Sequence, residues 1–308
     1  MKIGKLLQDP KYTEKFVLQK LLCLYLTCTR EDLWTDVDRE LDDELVQKII
    51  SAYHEYTVQK KPLEYILWHV DFFWNEFIVN EATLIPRPET EYMITAVKEY
   101  VDWKLKIVPR DSKNWKWMEW VLLDIWTGCG VLGISVLLQN PGFFHEAILT
   151  DYFANALAVA KLNYEKLISN ELGIKNEELG MKVSFLQSDL LDFMFHEPLN
   201  SALYTLHSNF ILVANLPYIP EWAFEQNAAD NVKKWEPKPA FVGGDDGLIY
   251  YRKMFEQLFT LGIKDITMFL EMMTRQVDIL RQEFGDRLEF EEVKTFHFNI
   301  RIVKCRLK

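Results

Sequence analysis

The sequence has too few basic residues for a protein that wraps nucleic-acid phosphates. Lysine and arginine together number 35, against 46 aspartates and glutamates, so the net charge is -11 and the pI is near 5.2. Tight binding to a phosphate backbone requires a basic face. The charge balance therefore argues against a direct nucleic-acid partner.

Cysteine is scarce, and long hydrophobic runs are absent. The four cysteines form no C-x-x-C pair, and none of the six histidines lies at ligand spacing from another, so we expect reduced thiols and no metal site. The apolar stretch at 16–26 is interrupted by Gln19 and Lys20, lacks a small-residue cleavage site and is too short to cross a bilayer. We expect a cytoplasmic protein with no membrane association.

The predicted elements divide the chain into a small helical domain, residues 1–75, and a larger α/β domain, residues 76–308. The segment "RELDDELVQKIISAYHEY" repeats apolar residues every four positions, as an amphipathic helix does, and "VDFFWNEFIVNEATLI" has the composition of a linking β-hairpin. Strands and helices then alternate, which predicts a doubly wound sheet with its ligand at the carboxyl ends of the strands. The predicted strands are 121–125, 147–151, 183–188, 210–214 and 265–271, with a terminal antiparallel pair at 287–296 and 298–306.

The segment "LLDIWTGCGVLG", residues 122–133, predicts a buried strand, a tight turn and the start of a helix. Glycine allows a ligand to approach the backbone closely, and the amides of a helix N-terminus face that ligand. Trp126 is out of place in this otherwise D-x-G-x-G-x-G-like turn. The whole chain has 12 glycines and ten tryptophans, whereas typical usage of about 7% would give roughly 22 glycines.

Two aspartates follow the next predicted strands at the same sheet edge. Asp151 ends its strand where a carboxylate can accept both hydroxyls of a ribose, and it is equally suited to capping the helix that begins near Phe153. Asp189 ends the following strand and is either a further ligand contact or a turn residue. With the glycine turn, these residues form a nucleoside-binding layout.

The segment "NLPYIP", residues 215–220, follows the fourth strand of this series. Asn215 supplies a side-chain amide, the proline frees a carbonyl from regular pairing, and Tyr218 supplies an aromatic face. The amide oxygen and the freed carbonyl can accept the two hydrogens of a planar NH₂ group. The aromatic ring can pack against the molecule that carries this NH₂ group. The alternative is a proline-terminated strand with Asn215 in a turn.

Five segments in this order resemble the HemK/PrmC family of release-factor glutamine methyltransferases. They are "PLEYIL" (62–67), "LIPRPETE" (84–91), the turn at 124–130, "NLPYIP" and "WEPKPAFVGGDDGL" (235–248). The resemblance covers nearly the whole chain and implies a Rossmann-like class I methyltransferase sheet with S-adenosyl-L-methionine as cofactor. It also implies that the N-terminal domain docks peptide chain release factors, and that the methyl goes to the side-chain amide nitrogen, N5, of the glutamine in their Gly-Gly-Gln loop.

The resemblance further implies roles for individual residues. The turn would hold the methionine part of the cofactor, and the Leu216 carbonyl would join the Asn215 side chain in accepting the two amide hydrogens. No strong base is needed, because the task is to orient a weakly nucleophilic amide and exclude water. The implied catalytic residues are Asn215, Pro217 and Tyr218, which with Leu216 also bind the substrate. The implied cofactor-binding residues are Asp124, Trp126, Thr127, Gly128, Cys129, Gly130, Asp151 for the ribose, Asp189 with Leu190 for the adenine, and Asn215. The "LIPRPETE" segment would lie near the mouth of the site or serve as a proline-stiffened connector.

The sequence departs from the family pattern in two ways. Leu216 replaces the first proline of Asn-Pro-Pro-Tyr, a form more usual in ribosomal-RNA adenine dimethylases. Trp68, Trp74 and Trp126 stand where the family has glycine. Some bacterial lineages read UGA as glycine, whereas a common alternative code reads it as tryptophan, so we hypothesise that the cell places glycine at these three positions. The same hypothesis makes "DSKNWKWMEW", residues 111–120, a glycine-containing flexible connector.

Two other functions stay open at this point. An adenine N6-methyltransferase acting on RNA or DNA would use the same Asn215 and Leu216 acceptors for an exocyclic NH₂, although the acidic charge and the helical N-terminal part disfavour it. A catalytically silent binding module follows if Trp126 is genuine and fills the cofactor turn.

Overall fold

The computed structural model describes residues 1–107, 119–170, 181–196, 208–295 and 300–308. Within them the chain forms two compact units. The first is Met1–Val70 with Ala229–Trp235, and the second is Asp71–Ala228 with Glu236–Lys308. No helix in these ranges combines the length and the apolarity needed to cross a bilayer.

The helices and strands have the following bounds in chain order. The α-helices are α1 (Ile3–Gln8), α2 (Lys15–Leu26), α3 (Arg30–Thr35), α4 (Asp43–Thr57), α5 (Leu63–Leu67), α6 (Glu91–Ile107), α7 (Val131–Gln139), α8 (Ala154–Tyr164), α9 (Glu221–Asn227), α10 (Asp230–Trp235), α11 (Ile249–Leu261) and α12 (Thr274–Phe284). The strands are β1 (His69–Phe72), β2 (Asn75–Ile78), β3 (Glu119–Ile125), β4 (Glu146–Asp151), β5 (Lys182–Gln187), β6 (Ser208–Ala214), β7 (Ile266–Met273), β8 (Leu288–Thr295) and β9 (Ile300–Leu307).

The first unit is helical, as the sequence predicts. Its amphipathic helix is α4, in which Ile49 and Tyr53 are buried and Leu45 packs at the edge of the same core. The side chain of Asp42 caps the first turn of α4 by accepting a hydrogen bond from the Leu45 amide at 2.7 Å. The apolar face of α4 packs against α2, which closes the core of this unit.

The second unit is built on a seven-stranded sheet in the order β5-β4-β3-β6-β7-β9-β8. Strands β3 to β7 are parallel to their neighbours in that group, and β9 is antiparallel to both β7 and β8. The chain builds outward from β3 through β4 to β5 and then returns to place β6 on the other side of β3. The switch point of this doubly wound, Rossmann-like sheet therefore lies between β3 and β6, where such folds bind ligands.

Helices cover both faces of this sheet. On one face, Tyr100 of α6 packs against Phe269 of β7 and is hydrogen-bonded to Thr267. Met268 lies between Thr267 and Phe269 in the strand, so its side chain points to the opposite face of the sheet. There it belongs to the core that includes Tyr251 of α11. Burial on both faces explains why the parallel strands are near-continuous apolar runs in the sequence.

Trp68 and Trp74 have backbone conformations that favour glycine. Trp68 ends α5 in the left-handed region at φ +63°, a helix end where glycine is usual. Phe73 and Trp74 form the two-residue turn between β1 and β2, at φ +44° and +68°, as in a type I′ turn. The indoles of Trp68 and Trp74 are 59% and 95% exposed, so packing does not compensate for the strain.

The flexible-connector prediction is wrong for Trp120. This residue lies in β3 rather than in a flexible connector, is 5% exposed, and has its ring 5.1 Å from that of Phe143. A buried strand position beside another aromatic is stabilised by a large apolar side chain, whereas glycine weakens a strand interior. Residues 111–118 of the same predicted connector lie outside the described residues.

Candidate active site

A cavity of about 230 Å³ lies at the carboxyl ends of β3, β4 and β6. Small-molecule sites usually have volumes of about 300–1,000 Å³, so this cavity is small for a cofactor and a substrate together. It is lined by residues from three parts of the second unit. They include Thr83, Pro86, Arg87 and Thr90, then Trp126, Thr127, Gly128, Cys129 and Asp151, and finally Asn215, Pro217 and Pro237.

The turn after β3 is held against the sheet by its backbone. The Thr127 amide donates to the Thr150 carbonyl at 2.8 Å, and Gly130 lies at φ +88° directly before α7. A Cβ on Gly130 would lie 2.7 Å from Cδ1 of Ile134. The side-chain end of Ile134 can shift, so it is the left-handed backbone that favours glycine there. The predicted strand, turn and helix are confirmed.

Asp124 fixes this turn from beneath and is absent from the cavity lining. Its Oδ2 accepts hydrogen bonds from the Thr127 hydroxyl and, at 2.8 Å, from the Gly133 amide. The carboxyl is fully buried, and burial raises its pKa to about 7. Asp124 thus shapes the turn from inside the fold.

The Asp151 side chain binds two backbone amides but does not cap α8, whose N-cap residue is Phe153 with no side-chain cap hydrogen bond. Its Oδ1 accepts from the Phe153 amide and its Oδ2 accepts from the Gly128 amide, both at 2.9 Å. Burial raises the pKa of this carboxyl, and the side chain lines the cavity. Asp151 therefore joins the turn to the start of α8 at the cavity wall, and its contact with a ribose stays a prediction.

Asp189 and Leu190 follow β5, as predicted, but neither is part of the cavity lining. The Asp189 carboxylate pairs with the Lys253 ammonium at 2.5 Å, and this hydrogen bond raises the pKa of the lysine. Leu190 is fully buried at φ +57°. Their contact with an adenine therefore also stays a prediction.

The segment after β6 presents polar groups at the cavity. Asn215 and Pro217 line it, whereas the Leu216 side chain is fully buried in the core, where an apolar residue is expected. The Tyr251 hydroxyl lies 3.4 Å from the Leu216 carbonyl but makes its short hydrogen bond to the Glu271 carbonyl. Since that hydroxyl has one proton, the Leu216 oxygen keeps its capacity to accept.

A glycine-containing loop supports this segment from behind. A Cβ on Gly243 would lie 2.3 Å from the Pro217 carbonyl oxygen, and one on Gly247 would lie 2.0 Å from the Tyr218 carbonyl oxygen. The Gln276 side chain then donates to the Tyr218 carbonyl at 2.7 Å. The loop therefore fixes the backbone that carries the acceptor groups.

The "LIPRPETE" segment lies inside the second unit and does not connect the two units, so the connector alternative is wrong. The Arg87 guanidinium pairs with the Glu236 carboxylate at 2.7 Å, and the other oxygen of Glu236 accepts from the Ile85 amide at 3.1 Å. Glu236 is 5% exposed, so this ion pair anchors the segment to a buried partner. The role of Arg87 seen here is to join this segment to "WEPKP", and sequence reasoning did not find it.

Glu271, two residues before the end of β7, is a site residue that the sequence analysis missed. It is 1% exposed, and its carboxylate oxygens accept from the Thr90 hydroxyl at 2.8 Å and the Tyr218 hydroxyl at 3.1 Å. Burial raises the pKa of Glu271 to about 7. Tyr218 is thereby tied to Glu271 and does not belong to the cavity lining. The available signal was a single carboxylate inside the largely apolar strand "ITMFLEMM".

Asn163 of α8 was missed as well. Its Nδ2 donates to the Cys129 carbonyl at 2.8 Å and to the Ile78 carbonyl at 2.9 Å, while its Oδ1 accepts from the Ile78 amide at 2.6 Å. This fully buried amide joins the glycine turn to the hairpin. Helix α8 contains two asparagines, Asn155 and Asn163, and no sequence pattern distinguished the second as a site residue.

Trp126 occupies the turn with a left-handed backbone, at φ +58°. Its indole packs between two tyrosine rings, 4.5 Å from Tyr250 and 6.1 Å from Tyr152, centroid to centroid. Its Nε1 is buried and finds no acceptor among the described residues. A left-handed bulky residue and an unpaired buried donor each cost about 1–3 kcal/mol, so Trp126 is the strained residue of the site.

The chain is similar to known proteins that share one name. No protein-family model matches it. The release factor glutamine methyltransferase of Bacillus cereus is 31% identical over 243 residues, which cover 77% of this chain and 72% of the relative. The release factor glutamine methyltransferase of Bacillus anthracis is 32% identical over 243 residues, with the same 77% and 72% coverage. The N-terminal domain of human METTL16 in complex with SAH matches at 15% identity and a TM-score of 0.45, over 97% of this chain and 94% of that one.

Proposed function

We propose that this chain, which belongs to the release factor glutamine methyltransferase family, methylates N5 of the glutamine in the Gly-Gly-Gln loop of peptide chain release factors, with S-adenosyl-L-methionine as donor. The observation that carries the proposal is a single cavity whose walls contain both the glycine turn with Asp151 and the Asn215–Pro217 segment. A nucleoside cofactor and an acceptor amide would meet there, at the switch point of the sheet. The shared name of the relatives supports the release factor as substrate, and a substrate used in translation supports a cytoplasmic location.

The cofactor-binding part of this proposal rests on the turn at 126–130 and on Asp151, with Asp189 and Leu190 at the next strand end. Backbone amides at a helix N-terminus and a carboxylate one strand away suit a nucleoside that carries an amino-acid tail. Trp126 is the residue that does not fit, because its indole takes room in the same wall. With glycine there, the turn would hold the cofactor, which supplies an electrophilic methyl group on its sulfonium.

The work left to the chain is orientation rather than proton abstraction. An amide nitrogen is a weak nucleophile because its lone pair is delocalised. Asn215 Oδ1 and the Leu216 carbonyl would each accept one hydrogen of the acceptor NH₂ and fix its plane toward the methyl group. Pro217 would close the wall beside the acceptor and Tyr218 would pack on it. Orientation and exclusion of water together account for large rate factors.

We further propose that the N-terminal helical domain, residues 1–75, docks the release factor. Phe16 and Trp34 are each 56% exposed on this domain and are the apolar groups we expect a protein partner to cover. Phe16→Ala and Trp34→Ala should raise KM for an intact release factor while leaving kcat for a short loop peptide unchanged. Equal KM values for parent and variants would remove this docking role.

Mass spectrometry of the loop peptide tests the methyl transfer. The full chain carrying Trp68→Gly, Trp74→Gly and Trp126→Gly should add one methyl group to the glutamine of the Gly-Gly-Gln loop. A matched loop with asparagine in place of that glutamine should stay unmodified. Methyl incorporation into RNA, with none into release factor, would overturn the proposal in favour of an adenine methyltransferase.

The indole of Trp126 favours one alternative from a different class. If tryptophan is genuine there, the strained side chain fills part of the cofactor turn, and the fold serves as a binding module without catalysis. Titration with S-adenosyl-L-methionine separates the two functions, because the enzyme requires binding in the Trp126→Gly chain. Absence of binding both to that variant and to its parent would support the silent module.

A further inference from the structure

We propose that Thr90 and Glu271 orient the side-chain amide of Asn215, so that its oxygen rather than its nitrogen faces the acceptor NH₂. This inference rests on the proposed function, because it assigns the residues that prepare Asn215 for that acceptor. Thr90 and Glu271 act through Asn215 and are therefore positioning residues. The assignment also gives the "LIPRPETE" segment, which contains Thr90, a part in the chemistry.

The three side chains form one continuous series of hydrogen bonds. Asn215 Nδ2 lies 3.3 Å from Thr90 Oγ1, which in turn lies 2.8 Å from Glu271 Oε2. The Asn215 side chain is also hydrogen-bonded to Glu271 directly. Thr90 is 2% exposed and Glu271 is 1% exposed, so solvent does not compete for these groups. They come from the segment before α6, the end of β6 and the C-terminal part of β7, and the sheet therefore holds their relative positions.

The number of available protons fixes the direction of each bond. A threonine hydroxyl has one proton, and an ionised carboxylate has none to donate. The Thr90 proton therefore goes to Glu271, which leaves only lone pairs of the hydroxyl facing Asn215. Only the NH₂ group of Asn215 can satisfy those lone pairs, and its Oδ1 is consequently left for the acceptor.

Tyr218 reinforces this arrangement from the second carboxylate oxygen. Its hydroxyl donates to Glu271 Oε1 at 3.1 Å, so both oxygens of the carboxylate already accept from a hydroxyl. Hydrogen bonds to an ionised acceptor are stronger than those between neutral groups. Reversing the Asn215 amide would turn its oxygen toward the Thr90 oxygen and its NH₂ toward the acceptor NH₂, which creates two repulsive contacts.

The orientation has a consequence for substrate choice. An amide that presents only its oxygen accepts hydrogen bonds, and so it favours a side chain that brings an NH₂ group. Glutamate has the same length as glutamine but presents an oxygen at that position, and it would meet Oδ1 and the Leu216 carbonyl with no proton to share. Thr90 and Glu271 therefore contribute to selecting glutamine through Asn215.

Substitution of Thr90 tests the role without changing the size of the side chain. Thr90→Val removes the hydroxyl at nearly constant shape, and Thr90→Ser keeps it. In the full chain carrying glycine at residues 68, 74 and 126, we expect Thr90→Val to lower kcat about tenfold with no change in the cofactor Kd. Thr90→Ser should restore most of the rate.

A double-mutant cycle shows whether Thr90 acts through Asn215. In the Asn215→Ala background, Thr90→Val should cause no further loss, because the group that it positions is gone. An equal fold-loss with and without Asn215 would overturn the proposal. If Thr90→Val only disturbs packing, it should lower the rate both with Asn215 and with Asn215→Ala. That result would contradict the proposal.

Side-chain amide NMR separates this inference from the proposed function, because it needs no acceptor. The Asn215 NH₂ resonances, assigned by their loss in Asn215→Ala, should include one proton protected from solvent exchange. We expect that protection to be reduced in Thr90→Val, because Glu271 still holds the amide, and to be kept in Thr90→Ser. Protection that is unchanged in Thr90→Val overturns the positioning role of Thr90. A protected amide in a chain that methylates no release factor instead overturns the proposed function alone.

Discussion

The indole of Trp126 lies 4.5 Å from the ring of Tyr250, centroid to centroid, and is tilted from it by 49°. Together with Trp68 and Trp74, Trp126 has a left-handed backbone, and among the tryptophans of the described residues these three alone do. They occupy three unrelated sites, namely a strand-to-helix turn, the end of a helix and a hairpin turn. Each of these is a place where glycine avoids a steric cost that tryptophan must bear.

We therefore predict glycine at positions 68, 74 and 126 in the protein made by its own cell. Sequencing the gene should show UGA at these codons, and peptide mass spectrometry of the native protein should show glycine residues. Trp120 is the internal control, since its buried strand position suits tryptophan and its codon should be UGG. UGG at codons 68, 74 and 126 would end the hypothesis and strengthen the silent-module alternative.

Two glycine substitutions should change the stability in opposite directions. Trp74→Gly should raise the free energy of unfolding by about 1–2 kcal/mol, because the backbone strain is relieved and the 95% exposed indole has little packing to lose. Trp103→Gly, at a 47% exposed position inside α6, should lower it by about 1 kcal/mol. Urea denaturation measures both. If Trp74→Gly also destabilises the chain, the turn is not strained in solution.

The order and the type of the main elements could be predicted from the sequence because parallel strands buried on both faces are apolar throughout. The run at 121–125 is β3, and the alternation after it is the doubly wound sheet. Trp120 was assigned to a loop because its neighbours are polar, whereas the strand in fact begins before it. Local composition thus located the strands but not their first residues.

The hydrogen-bond partners of the site could not be predicted. Glu236 and Glu271 reach Arg87 and Thr90 across 149 and 181 residues of chain, respectively. A glutamate that makes such a long-range contact has the same local sequence pattern as a glutamate that is exposed to solvent. Only the packing of the sheet brings these segments together, so sequence reasoning found the "LIPRPETE" segment without finding what it does.

Removal of the Asn215 side chain should mainly affect the rate of methyl transfer. Asn215→Ala eliminates a preorganised polar contact of a kind worth roughly 3 kcal/mol, or about a hundredfold in rate. Cofactor affinity should change much less, because the turn and Asp151 remain. Steady-state kinetics and a cofactor titration on the same variant measure the two effects. Unchanged activity would mean that Asn215 is only a turn residue.

Asp124 should make the protein less stable as the pH rises. Burial raises the pKa of this carboxyl from 3.8 to about 7, so between these values the folded state keeps a proton that the unfolded state releases. The stability that this protonation contributes is fully present below the pKa of Asp124 in the unfolded state. It is lost as the pH rises through the pKa of Asp124 in the folded state. Asp124→Asn removes the titration and keeps an oxygen acceptor for the turn. Denaturation at pH 5 and pH 8 should therefore show a smaller loss of stability in the variant than in the parent, and equal losses would contradict the assignment.

The rate of methyl transfer should rise with pH because of Glu271. Its ionised form accepts hydrogen bonds from Thr90 and Tyr218, whereas the protonated form has a proton of its own and no longer dictates their direction. Burial raises its pKa to about 7, and the charge of Glu89 acts in the same direction. The other titratable groups that face it are Tyr218 and Tyr251, whose pKa values are raised well above the usual value. Neither tyrosine titrates near neutral pH.

The measurement is kcat as a function of pH in the chain with glycine at position 126. We expect kcat to increase through about pH 7, and Glu271→Gln to give a lower rate with no such increase, because the neutral amide cannot change its charge. Asp124→Asn is the matched control, since it removes another buried carboxyl with a raised pKa and should keep the rising limb. A limb that persists in Glu271→Gln would assign the titration to a different group and would leave Thr90 without the ionised partner that directs its proton.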